Sequence, residues 1–425
     1  MKNIKIGLLP LYIKLYDDSN ADRTYLYSFY NRVAGLLKNQ GFEVIKNDFC
    51  RIKSEFKSAI EKFETENADV IVTLHIAYSP SLESIDALCS TELPIVVLDT
   101  TEAYGFNLNE SPDPIMNNHG IHGVMDMCNL LKQRGKKYAL AVGHESDGKV
   151  YKKTADLIRA AVAAKSLNGS KVGLFGTSFD GMGDFLISKE DAKKTFGVDI
   201  ISLTDDEMKA LADSICDCDV QAEKEQYLKD FVCESEIDDK LFDNAVRAAL
   251  AVRKGIKEKG LDAFSVNFLD MNNKNLGSMP FIECCKQMQN GVGYAGEGDA
   301  LTASIVGALM KAFNNVSFIE IFCPDWKNNK LMISHMGEMN FAVAKDKPVL
   351  KTYGFPYTDI GYVAKSLAEF KQGKAVFGNL FKDEDGKYKF LFSNITMVEG
   401  EKGFEDSIRG WFTPDNLPID TRIRQ

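Results

Sequence analysis

The chain has 425 residues, of which 45% are hydrophobic, and a formal net charge of −10 at pH 7. This length exceeds one ordinary domain, so two or three domains with sizeable cores are expected. The acidic balance argues against nucleic-acid binding, because a surface that follows phosphates needs a basic face. A run of the roughly 18 apolar residues that a membrane helix requires is missing, and the first residues lack a signal-peptide cleavage site. A cytoplasmic location without a membrane partner is therefore predicted.

Nine cysteines are scattered along the chain, and this odd number excludes a complete disulfide framework and indicates reduced thiols. Two close pairs, Cys216-x-Cys218 and Cys284-Cys285, could suggest ligands of a soft metal. Neither pair has a second pair at the spacing of a zinc finger, so buried thiols are predicted at these positions.

Short apolar runs alternate with amphipathic helical stretches through the first part of the chain. The strand-like runs IKIGLLPLY, DVIVTLH, PIVVLD and KYALAVG are separated by helical stretches. This order predicts a parallel sheet with helices on both faces. The helical stretch KKTADLIRAAVAAKSLNG ends this first α/β domain, which is predicted to span residues 1–168.

The alternation begins again with KVGLFG and continues through VDIISL and DAFSVNFLD, which predicts a second α/β domain over residues 169–325. From residue 326 to residue 425, short extended runs are separated by turn residues such as Asp385-Gly386. These runs predict an antiparallel β domain. The predicted fold class is α/β, with two doubly wound α/β domains followed by an antiparallel β domain.

Two glycine-containing stretches invite comparison with nucleotide-binding loops. The segment GLFGTSFDGMGDF follows a strand, but its glycines lack the dinucleotide-binding spacing, so a plain strand-to-loop turn is predicted. The segment GYAGEGD, residues 293–299, lacks the lysine of a phosphate loop, and Glu297 would repel phosphates. A nicotinamide-dependent dehydrogenase is disfavoured on these grounds.

The glycines of GYAGEGD permit a tight turn around Glu297, and Asp299 is predicted to cap the helix that follows. Taken alone, Glu297 is an exposed loop acid. Glu320, however, lies within the apolar strand pattern VSFIEIFC, where a carboxylate is costly to bury unless it is paired or bound to a metal. A solvent-facing strand end is the alternative for Glu320.

His335 ends the extended run LMISH and completes a candidate metal site with Glu297 and Glu320. Two carboxylates and an imidazole suit a hard-to-borderline divalent cation such as Mn²⁺. Paired carboxylates around a metal also provide an acid and a base at one centre. The alternative is that His335 has only a structural role.

The segments PFIECCKQMQNGVGYAGEGDALTAS, SFIE and SHMGE occur in the order that arabinose isomerases show. This region, residues 279–340, resembles the L-arabinose isomerase and L-fucose isomerase superfamily of metal-dependent aldose-ketose isomerases. A weaker similarity runs through ADVIVTLHIAYSP and MNNHGIHGVMD. The resemblance implies two Rossmann-like domains, a β-barrel-like carboxyl-terminal domain, and an active site built where the subunits of a homo-oligomer, a trimer or hexamer, meet.

The resemblance also implies roles for individual residues. The residues that match Glu297 and Glu320 bind Mn²⁺ or another divalent metal, and they exchange the proton between C1 and C2 of an open-chain sugar through a metal-bound enediol. The match of His335 is a further metal ligand, and His119 or His122 reaches the sugar in a neighbouring subunit. The implied function is the isomerisation of a small sugar, a pentose or a deoxyhexose.

One departure from the family concerns another metal-binding histidine, which relatives place near the carboxyl terminus. The histidines of this sequence are His75, His119, His122, His144 and His335. Either the β domain over residues 326–425 is shorter than in relatives, or water or substrate completes the coordination. Because this ligand lacks a match, the alternative function is a non-catalytic sugar-binding or regulatory relative that has lost a metal ligand.

Overall fold

The computed structural model describes residues 3–18, 24–106, 115–233, 237–401 and 403–415. The chain divides into two compact units, Met1–Lys165 and Ser166–Gln425. The finer division into three domains stays a prediction. Among the helices of the described residues, none is both long enough and apolar enough to cross a membrane.

The first unit is a parallel sheet with connecting helices. Its elements in chain order are β1 (Lys5–Leu11), α1 (Thr24–Asn39), β2 (Glu43–Lys46), α2 (Lys53–Thr65), β3 (Val70–His75), α3 (Ser81–Ser90), β4 (Ile95–Asp99), α4 (Gly120–Gln133), β5 (Tyr138–Val142) and α5 (Val150–Leu167). The strand order is β2-β1-β3-β4-β5, and neighbouring strands are parallel. β3 and β4 are buried along their whole length, as uninterrupted apolar strands covered on both faces should be.

Side chains of this sheet alternate between its two faces and form a separate core on each. On one face, Ile6, Val72 and Leu98 pack with α1 and α5. On the other face, Ile71 and Val97 pack with α2, α3 and α4. The predicted parallel sheet with helices on both faces is therefore confirmed for this unit, because the period-two alternation of a strand supplies apolar side chains to both faces.

The second unit begins with another parallel α/β arrangement. Its elements are β6 (Lys171–Phe175), α6 (Lys189–Phe196), β7 (Asp199–Leu203), α7 (Asp205–Asp213), α8 (Asp217–Asp230), β8 (Val232–Cys233), α9 (Asp239–Lys259), β9 (Ala263–Val266), α10 (Phe281–Gln289), β10 (Gly293–Gly296) and α11 (Ala300–Met310). Four of the strands form a parallel sheet in the order β10-β9-β6-β7. Its core contains Phe175, Phe264 and Tyr294, with side chains from α7, α9, α10 and α11. The sheet places the end of β10 directly before Glu297.

Antiparallel strands dominate the rest of the described chain. They are β11 (Glu320–Asp325), β12 (Lys330–His335), β13 (Val349–Phe355), β14 (Gly361–Leu367), β15 (Gly373–Lys382), β16 (Tyr388–Val398) and β17 (Ile408–Pro414). Five of them form an antiparallel sheet in the order β11-β12-β17-β16-β15, and β13 pairs with β14. The predicted antiparallel character is confirmed, although β8 from the helical region adds to β13 in parallel. The barrel-like closure of this part stays a prediction.

The turn at Asp385-Gly386 joins β15 to β16, as the sequence predicts. Asp383 N donates to Lys387 O at 2.8 Å, and Lys387 N donates to Asp383 Oδ1 at 2.7 Å. Gly386 has a φ of 72°, a left-handed conformation that glycine adopts without steric cost. This local chemistry explains why the hairpin was predictable.

The cysteines match the sequence prediction only in part. Cys284 and Cys285 are buried free thiols, as predicted. The prediction of buried thiols is wrong for Cys216 and Cys218, because both are exposed and a disulfide joins them. The backbone at the start of α8 brings these two residues together, and a count of cysteines contains no information about that geometry.

Candidate functional site

The GYAGEGD segment forms a strand end, a left-handed turn and a helix cap. Glu297 and Gly298 follow β10 with φ values of 61° and 78°. Asp299 accepts a hydrogen bond from Thr302 N at 2.7 Å and caps α11, which confirms the capping prediction. A left-handed conformation costs roughly 1–2 kcal/mol for a residue with a side chain, so tertiary contacts must hold Glu297 in this turn.

The loop after β6 supplies those contacts, and we call residues 177–179 the supporting loop. Phe179 N donates to Glu297 O at 3.0 Å, and Ser178 Oγ donates to Gly298 O at 2.8 Å. A Cβ at Gly298 would lie 2.2 Å from Thr177 O. The segment GLFGTSFDGMGDF, predicted as a plain strand-to-loop turn, therefore also holds the backbone of Glu297 in place.

We expect Gly298→Ala to destabilise the protein by clearly more than the roughly 1–2 kcal/mol that a left-handed alanine costs. The added methyl group would lie 2.2 Å from Thr177 O and 2.5 Å from Ser178 Cα, both of them backbone atoms. The matched control is Gly260→Ala, because Gly260 has a φ of 61° and open space around its Cβ position. The midpoint of urea unfolding measures both changes, and equal shifts would contradict the close packing of the supporting loop on Gly298.

Glu320 is the first residue of β11, so the prediction that it lies inside an apolar strand is wrong. Phe318 is buried, whereas Ile321 and Phe322 are 43% and 49% exposed. β11 is an edge strand of its sheet, and an edge strand can expose apolar residues that a sequence pattern assigns to the core. Glu320 Oε1 lies 3.9 Å from His335 Nε2, because β11 pairs Glu320 with Ser334 on the neighbouring strand.

His335 is the last residue of β12, and only 4% of its side chain is exposed. Its Nδ1 lies 2.7 Å from Glu338 Oε2. Glu338 also accepts hydrogen bonds from Tyr294 Oη at 2.8 Å and from Gly337 N at 2.7 Å. These contacts orient the imidazole and leave Nε2 facing Glu320. In metal sites, the histidine ring nitrogen that does not bind the metal usually forms a hydrogen bond with a carboxylate or carbonyl group. His335 makes such a contact with Glu338 through Nδ1.

Carboxylates dominate the electrostatics around His335. Burial opposes a positive charge on the ring, but Glu338, Glu320 and Glu297 outweigh it and raise the pKa of His335. The pKa of Glu320 is raised overall, because burial and the charges of Glu297 and Glu338 outweigh the lowering effect of His335. Burial also favours a neutral Glu338, yet His335 and the hydrogen bond from Tyr294 hold the pKa of Glu338 below its usual range. The excess of negative charge suits a bound cation.

The donor groups fit a divalent cation of the Mn²⁺ class, which accepts carboxylate oxygens and imidazole nitrogens. Gly296 leaves room beside the imidazole, since a Cβ there would lie 2.7 Å from His335 Cε1 and 3.0 Å from Nε2. In the described structure, Glu297, Glu320 and His335 do not all place a donor atom within 4.8 Å of one another. They form an open donor set, and not a closed coordination shell.

Three residues of this site were not predicted from sequence. Glu338 and Tyr294 belong to the motifs SHMGE and GYAGEGD, and the spacing of three residues between His335 and Glu338 was the one available signal for their ion pair. Asp184 lies exposed on the loop after β6, and its charge adds to burial in raising the pKa of Glu320. Its proximity to Glu320 follows from the tertiary fold alone.

His119 and His122 lie in the first unit, at the start of α4. His119 Nε2 and His122 Nδ1 are 3.1 Å apart, so one ring donates to the other. The Tyr78 ring lies 5.7 Å from the His119 ring and 5.0 Å from the His122 ring, measured between centroids. His119 Nδ1 is buried without a hydrogen-bond partner among the described residues, whereas His122 is exposed.

His75 ends β3 in the same unit and is buried. Its ring packs against α4 so closely that a Cβ at Gly123 would lie 2.6 Å from His75 Cδ2. Burial lowers the pKa of His75 to about 3, so the ring is neutral at ordinary pH. Neither ring nitrogen has a partner within the described parts of the chain. His75 therefore belongs to the packing beneath the start of α4.

Comparison with known proteins gives a consistent result. A family model described as the L-arabinose isomerase central domain matches residues 187–315, which include Glu297. The L-arabinose isomerase of Escherichia coli (strain K12) is 25% identical over 354 residues, which are 79% of this chain and 69% of the relative. The chain is similar to L-arabinose isomerases well beyond the segment that the family model matches. The family resemblance predicted from residues 279–340 is thus confirmed.

Another member of the L-arabinose isomerase family gives a similar alignment. The L-arabinose isomerase of Aeromonas salmonicida (strain A449) is 23% identical over 343 residues, covering 78% of this chain and 68% of the relative. Among solved structures, a periplasmic solute-binding protein of an ABC transporter from Actinobacillus succinogenes 130z with bound D-allose is 12% identical. The alignment covers 73% of this chain and 92% of that protein, with a TM-score of 0.21.

Proposed function

We propose that the chain is an aldose-ketose isomerase that acts on a small sugar, a pentose or a deoxyhexose, and uses Mn²⁺ or another divalent cation. The observation that carries this proposal is the contact between Glu320 and His335, with Glu297 close enough to affect the pKa of both. The names of the relatives, which are L-arabinose isomerases, support the reaction class.

The proposed reaction moves a hydrogen between C1 and C2 of an open-chain sugar through an enediol. It needs a group that takes a proton from one carbon and returns it to the next. Glu297 and Glu320 are the proposed acid–base pair. Burial and the charge of Glu297 raise the pKa of Glu320, which brings this carboxyl closer to the neutral range where general acid–base groups work best.

When bound, a divalent cation would polarise the two sugar oxygens and stabilise the negative charge that develops on them. Glu297, Glu320 and His335 are the residues that would hold this cation. Because Glu338 engages Nδ1 of His335, Nε2 is the ring nitrogen left for the cation. The supporting loop holds the backbone of Glu297 through Phe179 N, and this contact fixes the turn that carries the carboxylate.

The proposal includes a sugar contact from His119 or His122 in a homo-oligomer, a trimer or hexamer. The two histidine rings and the Tyr78 ring support this part, since they combine nitrogen donors with an aromatic face. Sugar-binding and other small-molecule sites commonly pair such a face with a few polar groups that fix orientation.

Metal analysis of the purified full chain, together with a panel of aldoses, tests the proposed function. We expect bound divalent cation and ketose formation from at least one pentose or deoxyhexose, lost on chelation and restored by Mn²⁺. Unchanged turnover in the chelated protein would contradict the role of the cation. A sugar that raises the melting temperature without any turnover, with or without Mn²⁺, would contradict the enzyme and favour a non-catalytic sugar-binding or regulatory relative.

A further inference from the structure

An exposed disulfide joins Cys216 and Cys218 at the start of α8, and neither residue takes part in the chemistry proposed for Glu297 and Glu320. The other seven cysteines are free thiols. The pair stands out because the two bonded residues are separated by a single residue, Asp217.

The backbone at the start of α8 explains why two cysteines so close in sequence can be bonded. Residues i and i+2 inside a helix do not face each other. Cys216 is instead the N-cap, with an extended conformation at φ −76° and ψ 154°, and Cys218 is the second residue of the helix. This change of conformation brings their Cα atoms to 5.3 Å, inside the roughly 4.4–6.8 Å that disulfides span.

The disulfide has little structural value for the fold. Disulfides stabilise mainly by closing loops in the unfolded chain, and the effect decreases as the loop becomes shorter. The two cysteines are only two positions apart in sequence. Asp219 N donates to Cys216 Sγ at 3.2 Å and caps the helix, and a free thiol or thiolate can accept the same hydrogen bond. The bond can therefore open and close while α8 stays intact.

The surroundings of Cys216 also favour the chemistry of exchange. Amide groups at a helix N-terminus stabilise a thiolate, which is both the attacking and the leaving species in disulfide exchange. Arg247 donates to Ile215 O and to Asp217 Oδ1, and so places a guanidinium beside the pair. Asp217 and Asp219 act in the opposite direction through their negative charges, and both sulfur atoms belong to exposed residues.

We propose that Cys216-x-Cys218 is a reversible thiol–disulfide exchange site for low-molecular-weight thiols of the glutathione type. A thiolate of the small molecule attacks one sulfur, forms a mixed disulfide and releases the other cysteine as a thiolate. A second small thiol attacks the mixed disulfide, which frees the first cysteine and leaves the small molecules joined as their own disulfide. In total, two small thiols are oxidised and the protein disulfide is reduced by two electrons and two protons.

Equilibration of the folded full chain with reduced and oxidised glutathione at a series of ratios, followed by alkylation and peptide mass analysis, tests this site. We expect Cys216 and Cys218 to change together between the disulfide and the doubly alkylated form, with unchanged circular dichroism. The buried Cys50 and Cys284 should stay unlabelled. A pair that stays oxidised until denaturant is added, or stays reduced at every ratio, would overturn the proposal.

Two variants sharpen the result. In Cys218→Ser, we expect Cys216 to form a mixed disulfide with glutathione that a second thiol removes. The control is Cys233→Ser, which lacks another exposed cysteine and should keep the paired transition at the same glutathione ratio. Failure of Cys218→Ser to form the adduct, or loss of the transition in Cys233→Ser, would contradict an exchange site at these two residues.

Discussion

Replacing Glu320 by glutamine should reduce cation-stimulated ketose formation by about 10²- to 10⁴-fold, the usual contribution of a positioned acid–base group. The amide keeps the size of the side chain but neither carries the negative charge nor exchanges the proton. Ketose formation in the presence and absence of Mn²⁺ measures the effect on kcat. Undiminished turnover would contradict the proposed role of Glu320.

The loss of activity in this variant should be separable from a loss of stability. The pKa of Glu320 is raised, chiefly by burial, so its charged form is less favourable in the folded chain than in the unfolded one near neutral pH. A neutral glutamine should leave the melting temperature unchanged or slightly higher. The matched control is Glu384→Gln, the same change at an exposed glutamate in the β15–β16 turn, which should keep both activity and stability.

Replacing Glu338 by glutamine should weaken Mn²⁺ binding by about 10- to 100-fold, as the loss of a carboxylate behind a metal-binding histidine usually does. Glu338 binds His335 Nδ1 at 2.7 Å and is 2% exposed. An amide at this position accepts a hydrogen bond from the ring more weakly and can also present its NH₂ group. Isothermal titration calorimetry of the metal-free protein with Mn²⁺ measures the change in affinity.

The control for Glu338 is another buried glutamate of the second unit. The Glu283 side chain is 0% exposed and accepts a hydrogen bond from Arg253 Nη2 at 2.7 Å. Glu283→Gln should destabilise the protein, because a buried charge loses its partner, while Mn²⁺ affinity stays at the parent value. If Glu338→Gln behaves in the same way, with lower stability and unchanged Mn²⁺ affinity, Glu338 does not position His335 for a cation.

Local patterns were sufficient where neighbouring residues control the structure. The apolar runs of β3 and β4 predicted buried parallel strands, since such strands need apolar side chains on both faces. Asp299 was predictable as a cap because its partner, Thr302 N, is three residues away. The β15–β16 turn follows from the left-handed conformation that Gly386 adopts.

The errors occurred where burial depends on the order of strands, or where the pairing of two side chains depends on the backbone conformation. The apolar residues around Glu320 predicted a buried strand, yet β11 is an edge strand, and Ile321 and Phe322 are exposed. The disulfide between Cys216 and Cys218 depends on the backbone at the start of α8.

The sequence by itself determined the alternation of strands and helices, the antiparallel carboxyl-terminal strands and the identities of Glu297, Glu320 and His335 as candidates. Only the tertiary structure decided that β12 places His335 beside Glu320, that Glu338 and Tyr294 fix the ring, and that the supporting loop holds the turn of Glu297. The physical reason is separation along the chain. The hydrogen bond from Tyr294 to Glu338, for example, joins residues 44 positions apart. The packing of several elements brings these two residues together, and no local pattern in the sequence predicts that packing.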